Sequence, residues 1–139
     1  MIVLDTNVVS EILKPKPSET VTRWLAAQNA SEVFTTTITQ AELLYGVESL
    51  APGKRRTQLL AAIEEILATS FEGRILPFDE NAAREFARIV AARDARGRPI
   101  SNSDAMIAAI ARTCRASVAT RNATDFAGCG IAIINPWNE

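Results

Sequence analysis

The chain contains no histidine. That absence excludes Ser-His-Asp triads, Cys-His dyads and paired-histidine acid–base sites, together with every metal site built on imidazole. Cysteine is scarce as well, Cys114 and Cys129 being the only two. They have no partners at zinc-ligand spacing, and nothing else points to an oxidising compartment, so two reduced thiols are expected. Aromatic residues are few, and no base-stacking motif can be read from them. No run approaches the roughly 18 apolar residues that span a bilayer. The opening Met1-Ile-Val-Leu-Asp5 lacks the basic start, apolar stretch and small-residue cleavage site of a signal peptide. A cytoplasmic protein without a membrane partner is the expectation. Fifteen basic against sixteen acidic residues leave a net charge of −1, which announces no polyanionic partner by itself.

What is present suits one folded domain. A length of 139 residues, with nearly half of them apolar, is enough to bury most of the surface the unfolded chain exposes. A single domain over residues 1–139 is therefore expected. Two groups of basic residues, Lys54-Arg55-Arg56 and Arg93/Arg96/Arg98 around a Gly/Pro-containing loop, are placed to follow phosphates locally or simply to be solvated.

The apolar pattern alternates between short strands and helices. Residues 1–4 read as a strand buried on both faces, ended by Asp5. Helical spacing follows from Thr6 to Leu13, and Pro15 and Pro17 end it. Ser18 suits the cap of a second helix. A β-branched strand spans Glu32 to Thr37, and helices are predicted from about Gln40 to Leu50 and from about Arg55 to Ala68. A third strand falls within Gly73–Phe78. Asp79 caps a helix that fades at Arg96-Gly97-Arg98-Pro99, another helix runs from near Ser103 to near Cys114, and strands at Ser117–Thr120 and Ile131–Ile134 complete the chain. Such alternation without hairpin signals predicts an α/β fold: a parallel sheet of about five strands with helices on both faces. Ligands in such sheets bind beyond the carboxyl ends of the strands, near a change in strand order.

Four acidic residues fall where that rule points. Asp5 follows the first strand directly, where it caps the next helix, contributes to a site, or both. Glu42 lies in Thr39-Gln-Ala-Glu-Leu-Leu-Tyr-Gly, so Thr39 and Glu42 match a capping box, a structural role that competes with a functional one. Asp104, in Ser101-Asn-Ser-Asp-Ala-Met-Ile-Ala-Ala-Ile-Ala, shares a helix face with Ile107, Ala108 and Ala111, so its carboxylate heads a face that points at the core. Asp125 and Asn122 lie just past the fourth strand, where both also suit a turn. Carboxylates packed together repel unless one keeps its proton or a cation neutralises them. With histidine absent, any chemistry falls to these acids and a hard, oxygen-seeking cation such as Mg²⁺ or Mn²⁺. Such a cation activates water and stabilises in-line phosphoryl displacement, so phosphodiester hydrolysis fits the arrangement.

These motifs, in this order, resemble those of PIN-domain nucleases: Met-Ile-Val-Leu-Asp5-Thr-Asn-Val, Thr-Gln-Ala-Glu42-Leu-Leu-Tyr-Gly, Asp104-Ala-Met-Ile-Ala-Ala and Ala-Thr-Arg-Asn-x-x-Asp125-Phe. The Gly-Arg-Ile-Leu-Pro-Phe-Asp stretch and the closing Asn-Pro-Trp-Asn resemble the VapC toxins, in particular their FitB-like branch. The resemblance implies a PIN-like fold and a metal-dependent endoribonuclease acting as the toxin of a toxin–antitoxin pair. Asp5, Glu42 and Asp104 would hold Mg²⁺ or Mn²⁺ and activate water, with Asp125 as a fourth acid. Thr6 (through its hydroxyl), Asn7 and Asn122 would support them. It also implies an RNA substrate, a homodimer, a VapB-like antitoxin and a larger toxin–antitoxin assembly. Three other readings compete: a structure-specific DNA nuclease on the same scaffold, a PIN-like module that binds RNA or protein without cutting, and a phospho-aspartate domain. The last is disfavoured because Asp5-Thr-Asn lacks a second aspartate and no lysine follows Lys54.

Overall fold

A computed structural model describes all residues, 1–139. Its centre is β1 (Ile2–Leu4), whose side chains alternate between two separate cores. Val3 points into one and Leu4 into the other, and both are fully buried. That is the period of a strand, and it explains why the opening run is apolar throughout instead of alternating with polar residues.

Four more strands flank it: β2 (Val33–Thr36), β3 (Ile75–Leu76), β4 (Ser117–Ala119) and β5 (Ile133–Ile134). The order is β3-β2-β1-β4-β5 and every pairing is parallel. Leu4 pairs with Ala119, so β1 and β4 end level with each other. The order reverses between these two strands, and their carboxyl ends open the crevice where such sheets bind ligands.

The helices are α1 (Thr6–Ile12), α2 (Glu19–Ala26), α3 (Thr37–Glu48), α4 (Lys54–Glu65), α5 (Glu80–Ala95) and α6 (Asn102–Thr113). One core joins Val3 and Val118 to Ala82 and Ile89 of α5 and to the apolar face of α6 from Ile107 to Ala111. The other joins Leu4 and Ala119 to Val8, Val9, Val21, Leu43, Val47 and Ile63 from the first four helices. Asp5, Ser18, Thr36, Asp79 and Ser101 cap α1, α2, α3, α5 and α6 with side-chain acceptors, each worth about 1 kcal/mol. Cys114 and Cys129 are free thiols, and no helix is long and apolar enough to cross a membrane.

Several local expectations shift. The third helix starts at Thr37, not near Gln40, because Thr36 caps it by accepting from the Thr39 N–H. The Thr39–Glu42 capping box is therefore absent, and Glu42 is free for another partner. The fourth helix ends at Glu65, and a π-helical turn over Ile66–Ser70 leads out of it. The third strand shrinks to Ile75–Leu76. Arg93 belongs to no basic loop patch: it lies on α5, is buried, and spends its guanidinium on the carbonyls of Arg98, Asp125 and Ala127.

Candidate active site

A cleft of roughly 410 Å³ opens at the carboxyl ends of β1 and β4. Asp5, Glu42 and Asp104 line it, with Thr6, Asn7, Asn122, Ser10, Glu11, Lys14, Arg121 and Trp137. Three of the four expected acids thus meet there, although 36 residues separate Thr6 from its partner Glu42 and far more separate either from Asp104.

Asp5 is placed by the sheet itself. Its backbone N–H donates to the Ala119 carbonyl at 2.9 Å, extending the β1–β4 ladder by one bond. Its carboxylate is 5% exposed and spans two donors: Oδ1 accepts from the Thr6 N–H at 2.8 Å and Oδ2 from the Thr120 hydroxyl at 2.7 Å. It is a helix cap and a cleft residue at once. Burial pushes its pKa from the usual 3.8 up to about 6, with Asp104 and Glu42 adding to the rise and the two hydrogen bonds opposing it.

Thr120 is the residue that sequence reasoning passed over. It is fully buried, and besides serving Asp5 it accepts from Asn7 Nδ2 at 3.3 Å and from the Asn122 N–H at 3.1 Å. One hydroxyl therefore ties together the ends of β1 and β4. Its signal was available: Thr120 follows β4 as Asp5 follows β1, inside the Ala-Thr-Arg-Asn motif. Asn7 closes the join, its Oδ1 accepting from the Arg121 N–H at 3.2 Å.

Glu42 reaches the cleft from the second turn of α3. The Thr6 hydroxyl donates to its Oε1 at 2.7 Å and lies 3.1 Å from the Thr39 hydroxyl. Asp104 sits in the first turn of α6, where the Ser101 hydroxyl accepts its N–H at 3.2 Å. It is half-buried, and desolvation raises its pKa, with Asp125 and Glu42 contributing.

Asp125 departs from the expected convergence. It is exposed and lines a smaller hollow beside the cleft with Arg93, Ser101 and Asp104. It lies on the short 3₁₀ turn Ala123–Phe126, whose Phe126 is buried in the core, and its charge still reaches Asp104. Asn122, just after β4, stays in the cleft.

None of the four acids has a basic partner. The cleft's Lys14 pairs with Glu11 at 3.0 Å instead, and that bond, with the Ser18 N–H, lowers the Glu11 pKa. Each of Asp5 and Glu42 is held by a threonine hydroxyl, and the acids line the cleft without closing into a ligand cluster. The donor set is nonetheless all oxygen, negatively charged and free of ion pairs, which suits a hard divalent cation.

Comparison with known proteins agrees with this architecture. A profile of the PIN domain matches residues 2–127. Toxin FitB of Neisseria gonorrhoeae is 41% identical over the full length of both chains, and the crystal structure of FitAcB from that organism superposes with a TM-score of 0.93, covering all of both chains. VapC ribonuclease Y4jK of Sinorhizobium fredii is 41% identical across 99% of this chain and 98% of its own. VapBC-5 of Mycobacterium tuberculosis, a member of the VapBC family of toxin–antitoxin systems, has a structure that is 30% identical, with a TM-score of 0.66 over 96% of each chain.

Proposed function

The chain belongs to the PIN domain family, and on that premise we propose that it is an endoribonuclease, the toxin of a toxin–antitoxin pair. One observation carries the reading: three carboxylates share a cleft at the strand-order reversal with no basic residue neutralising them. Holding charge in that state is costly, and sites keep such costs where function needs them. A relative of matching length is named a ribonuclease and another a toxin, which supports RNA as substrate and an antitoxin as partner.

Asp5, Glu42 and Asp104 are the residues proposed to hold Mg²⁺ or Mn²⁺. An ion held there would supply positive charge to the phosphoryl oxygens and make water more acidic. The chain's own work is placement. Thr120 and the Thr6 N–H fix both oxygens of Asp5, the Thr6 hydroxyl fixes one oxygen of Glu42, and the rigid start of α6 presents Asp104. Asn7 and Asn122 act through Thr120. Asp125 stands outside the cleft and contributes charge next to Asp104. In the reaction, water adds to phosphorus, the 3′ oxygen leaves and takes a proton, and the 5′-phosphate stays on the downstream fragment.

The purified protein is expected to cut single-stranded RNA with Mg²⁺ or Mn²⁺, leaving 3′-hydroxyl and 5′-phosphate ends. Chelation by EDTA or the change Asp5→Asn abolishes cleavage. Cleavage that persists under either condition overturns the proposal. Induced expression in a bacterial host tests the toxin role, since growth should stop and should resume when the antitoxin is co-expressed.

A further inference from the structure

The cleft holds two basic side chains, and they are used differently. Lys14 is committed to Glu11. Arg121 makes no ion pair, although it lines the same cleft as the three acids; its charge acts on Glu11, whose pKa it helps lower. Its guanidinium lies instead over the ring of Trp137, 4.9 Å from the centroid, and none of its guanidinium N–H groups has a protein acceptor.

Both members of this pair are anchored. Trp137 donates its backbone N–H to Asn135 Oδ1 at 3.0 Å, follows the buried Pro136, and packs against the core that contains Leu4 and Val8. Arg121 donates its backbone N–H to Asn7, and the residue before it, Thr120, hydrogen-bonds Asp5. The guanidinium is therefore tethered one residue from the hydroxyl that fixes the central acid. An arginine stacked on an aromatic face keeps its fork of donors in one plane, and that plane matches the oxygens of a phosphate.

The cleft poses an electrostatic problem that this pair answers. Carboxylates repel a phosphodiester chain, so a polyanion needs a fixed cation nearby to remain in register. We infer that Arg121, held over the ring of Trp137, is a substrate-binding residue that takes a backbone phosphate of single-stranded RNA adjoining the bond to be cut. The inference takes its ligand from the ribonuclease reading, and it assigns to Arg121 and Trp137 a positional role separate from the chemistry of the acids.

The test measures binding without cleavage. In protein carrying Asp5→Asn, the affinity for a fluorescent single-stranded RNA is followed from about 50 to 200 mM KCl, where each phosphate contact adds about 0.7 to the slope of log K against log salt. Arg121→Met should reduce that slope by about 0.7 and weaken binding roughly three- to tenfold at the lower salt. Arg121→Lys should keep the slope, because the charge survives, but lose affinity because an ammonium lacks the guanidinium's fork of donors. In the cleaving protein, Arg121→Met should lower kcat/KM mainly by raising KM. A slope unchanged in Arg121→Met, or an Asp5→Asn parent that binds no RNA, overturns the inference. Failure of the wild-type protein to cleave RNA overturns the ribonuclease reading instead, and the slope still decides Arg121.

Discussion

The Thr120 hydroxyl donates to Asp5 Oδ2 at 2.7 Å, joining residues 115 positions apart at the point where the strand order reverses. The same oxygen receives hydrogen bonds from Asn7 and from the Asn122 N–H, so three cleft residues are positioned through one side chain. Thr120→Val keeps the shape and removes the hydroxyl. It should cost on the order of 1–2 kcal/mol in urea denaturation, the range for a buried hydrogen bond whose partners are left unmatched. RNA cleavage should fall more than stability does, and its acidic limb should move to higher pH as Asp5 loses a donor that favours its anion. Thr120→Ser, which restores the hydroxyl, should recover most of the activity.

Asp5 makes the folded protein pH-sensitive in a direction opposite to that of a salt-bridged carboxylate. Its pKa rises from 3.8 to about 6 on folding, so the folded state binds the proton more tightly than the unfolded chain does. The stability this provides is complete below pH 4 and is lost as pH rises through 6. Relative to the protonated side chain, the anion present at neutral pH leaves the folded state less stable by on the order of 3 kcal/mol. Asp104, raised in the same direction, adds to the trend. Without divalent ions, the Tm of the wild-type protein should fall between pH 5 and 7.5, while Asp5→Asn should melt higher at pH 7.5 and show a shallower pH dependence. Mn²⁺ should raise the Tm of the wild type far more than that of Asp5→Asn. A lower Tm for metal-free Asp5→Asn at pH 7.5 would falsify this account.

Asp104 and Asp125 separate cleanly by substitution. Asp104 lines the cleft and heads a buried helix face, whereas Asp125 is exposed and lines only the adjoining hollow. Asp104→Asn should lower kcat at least about a hundredfold, the scale of losing a group that fixes or activates the reacting atoms. Asp125→Asn should lower it less than about tenfold, since it acts on Asp104 through charge alone. Single-turnover cleavage by the two variants compares them directly, and equal losses would place Asp125 within the reacting set.

Arg93 is a structural cation. Its Nε and Nη1 hold the carbonyls of Arg98, Asp125 and Ala127, stitching the end of α5 to the turn that carries Asp125. Arg93→Met strands those carbonyls and should cost on the order of 3 kcal/mol in chemical denaturation. Arg93→Lys should rescue little, because a single ammonium cannot match a planar fork. A change below about 0.5 kcal/mol, the level of a neutral surface substitution, would remove this role.

The parts of the fold that were legible in sequence are those governed by local periodicity. The apolar run Ile2–Leu4, the apolar face of α6 and the caps Ser18 and Asp79 repeat patterns that a strand or helix imposes on its own residues. The rule for parallel sheets then located the cleft, because Asp5 follows the one strand whose neighbours lead away in opposite directions. The Thr39–Glu42 box misled because Thr36 is an equally good cap three residues earlier, and the strand pairing of Thr36 with Leu76 decided between them. Arg93 reads as surface because it stands in a run of arginines near glycine and proline; only the fold brings the Asp125 and Ala127 carbonyls of a distant turn, with that of nearby Arg98, around its guanidinium.

The amino-acid sequence alone determined the chemistry available to this protein. The absence of histidine excluded imidazole chemistry, and acids at strand ends and helix starts pointed to carboxylates. Tertiary structure alone decided which acids share the cleft and what holds them. Thr120 meets Asp5, Thr6 meets Glu42, and Asp125 lies in the adjoining hollow with Asp104. The reason is physical: periodicity and capping act within a few residues, whereas desolvation, hydrogen bonding across strands and core packing depend on groups brought together only when the sheet closes.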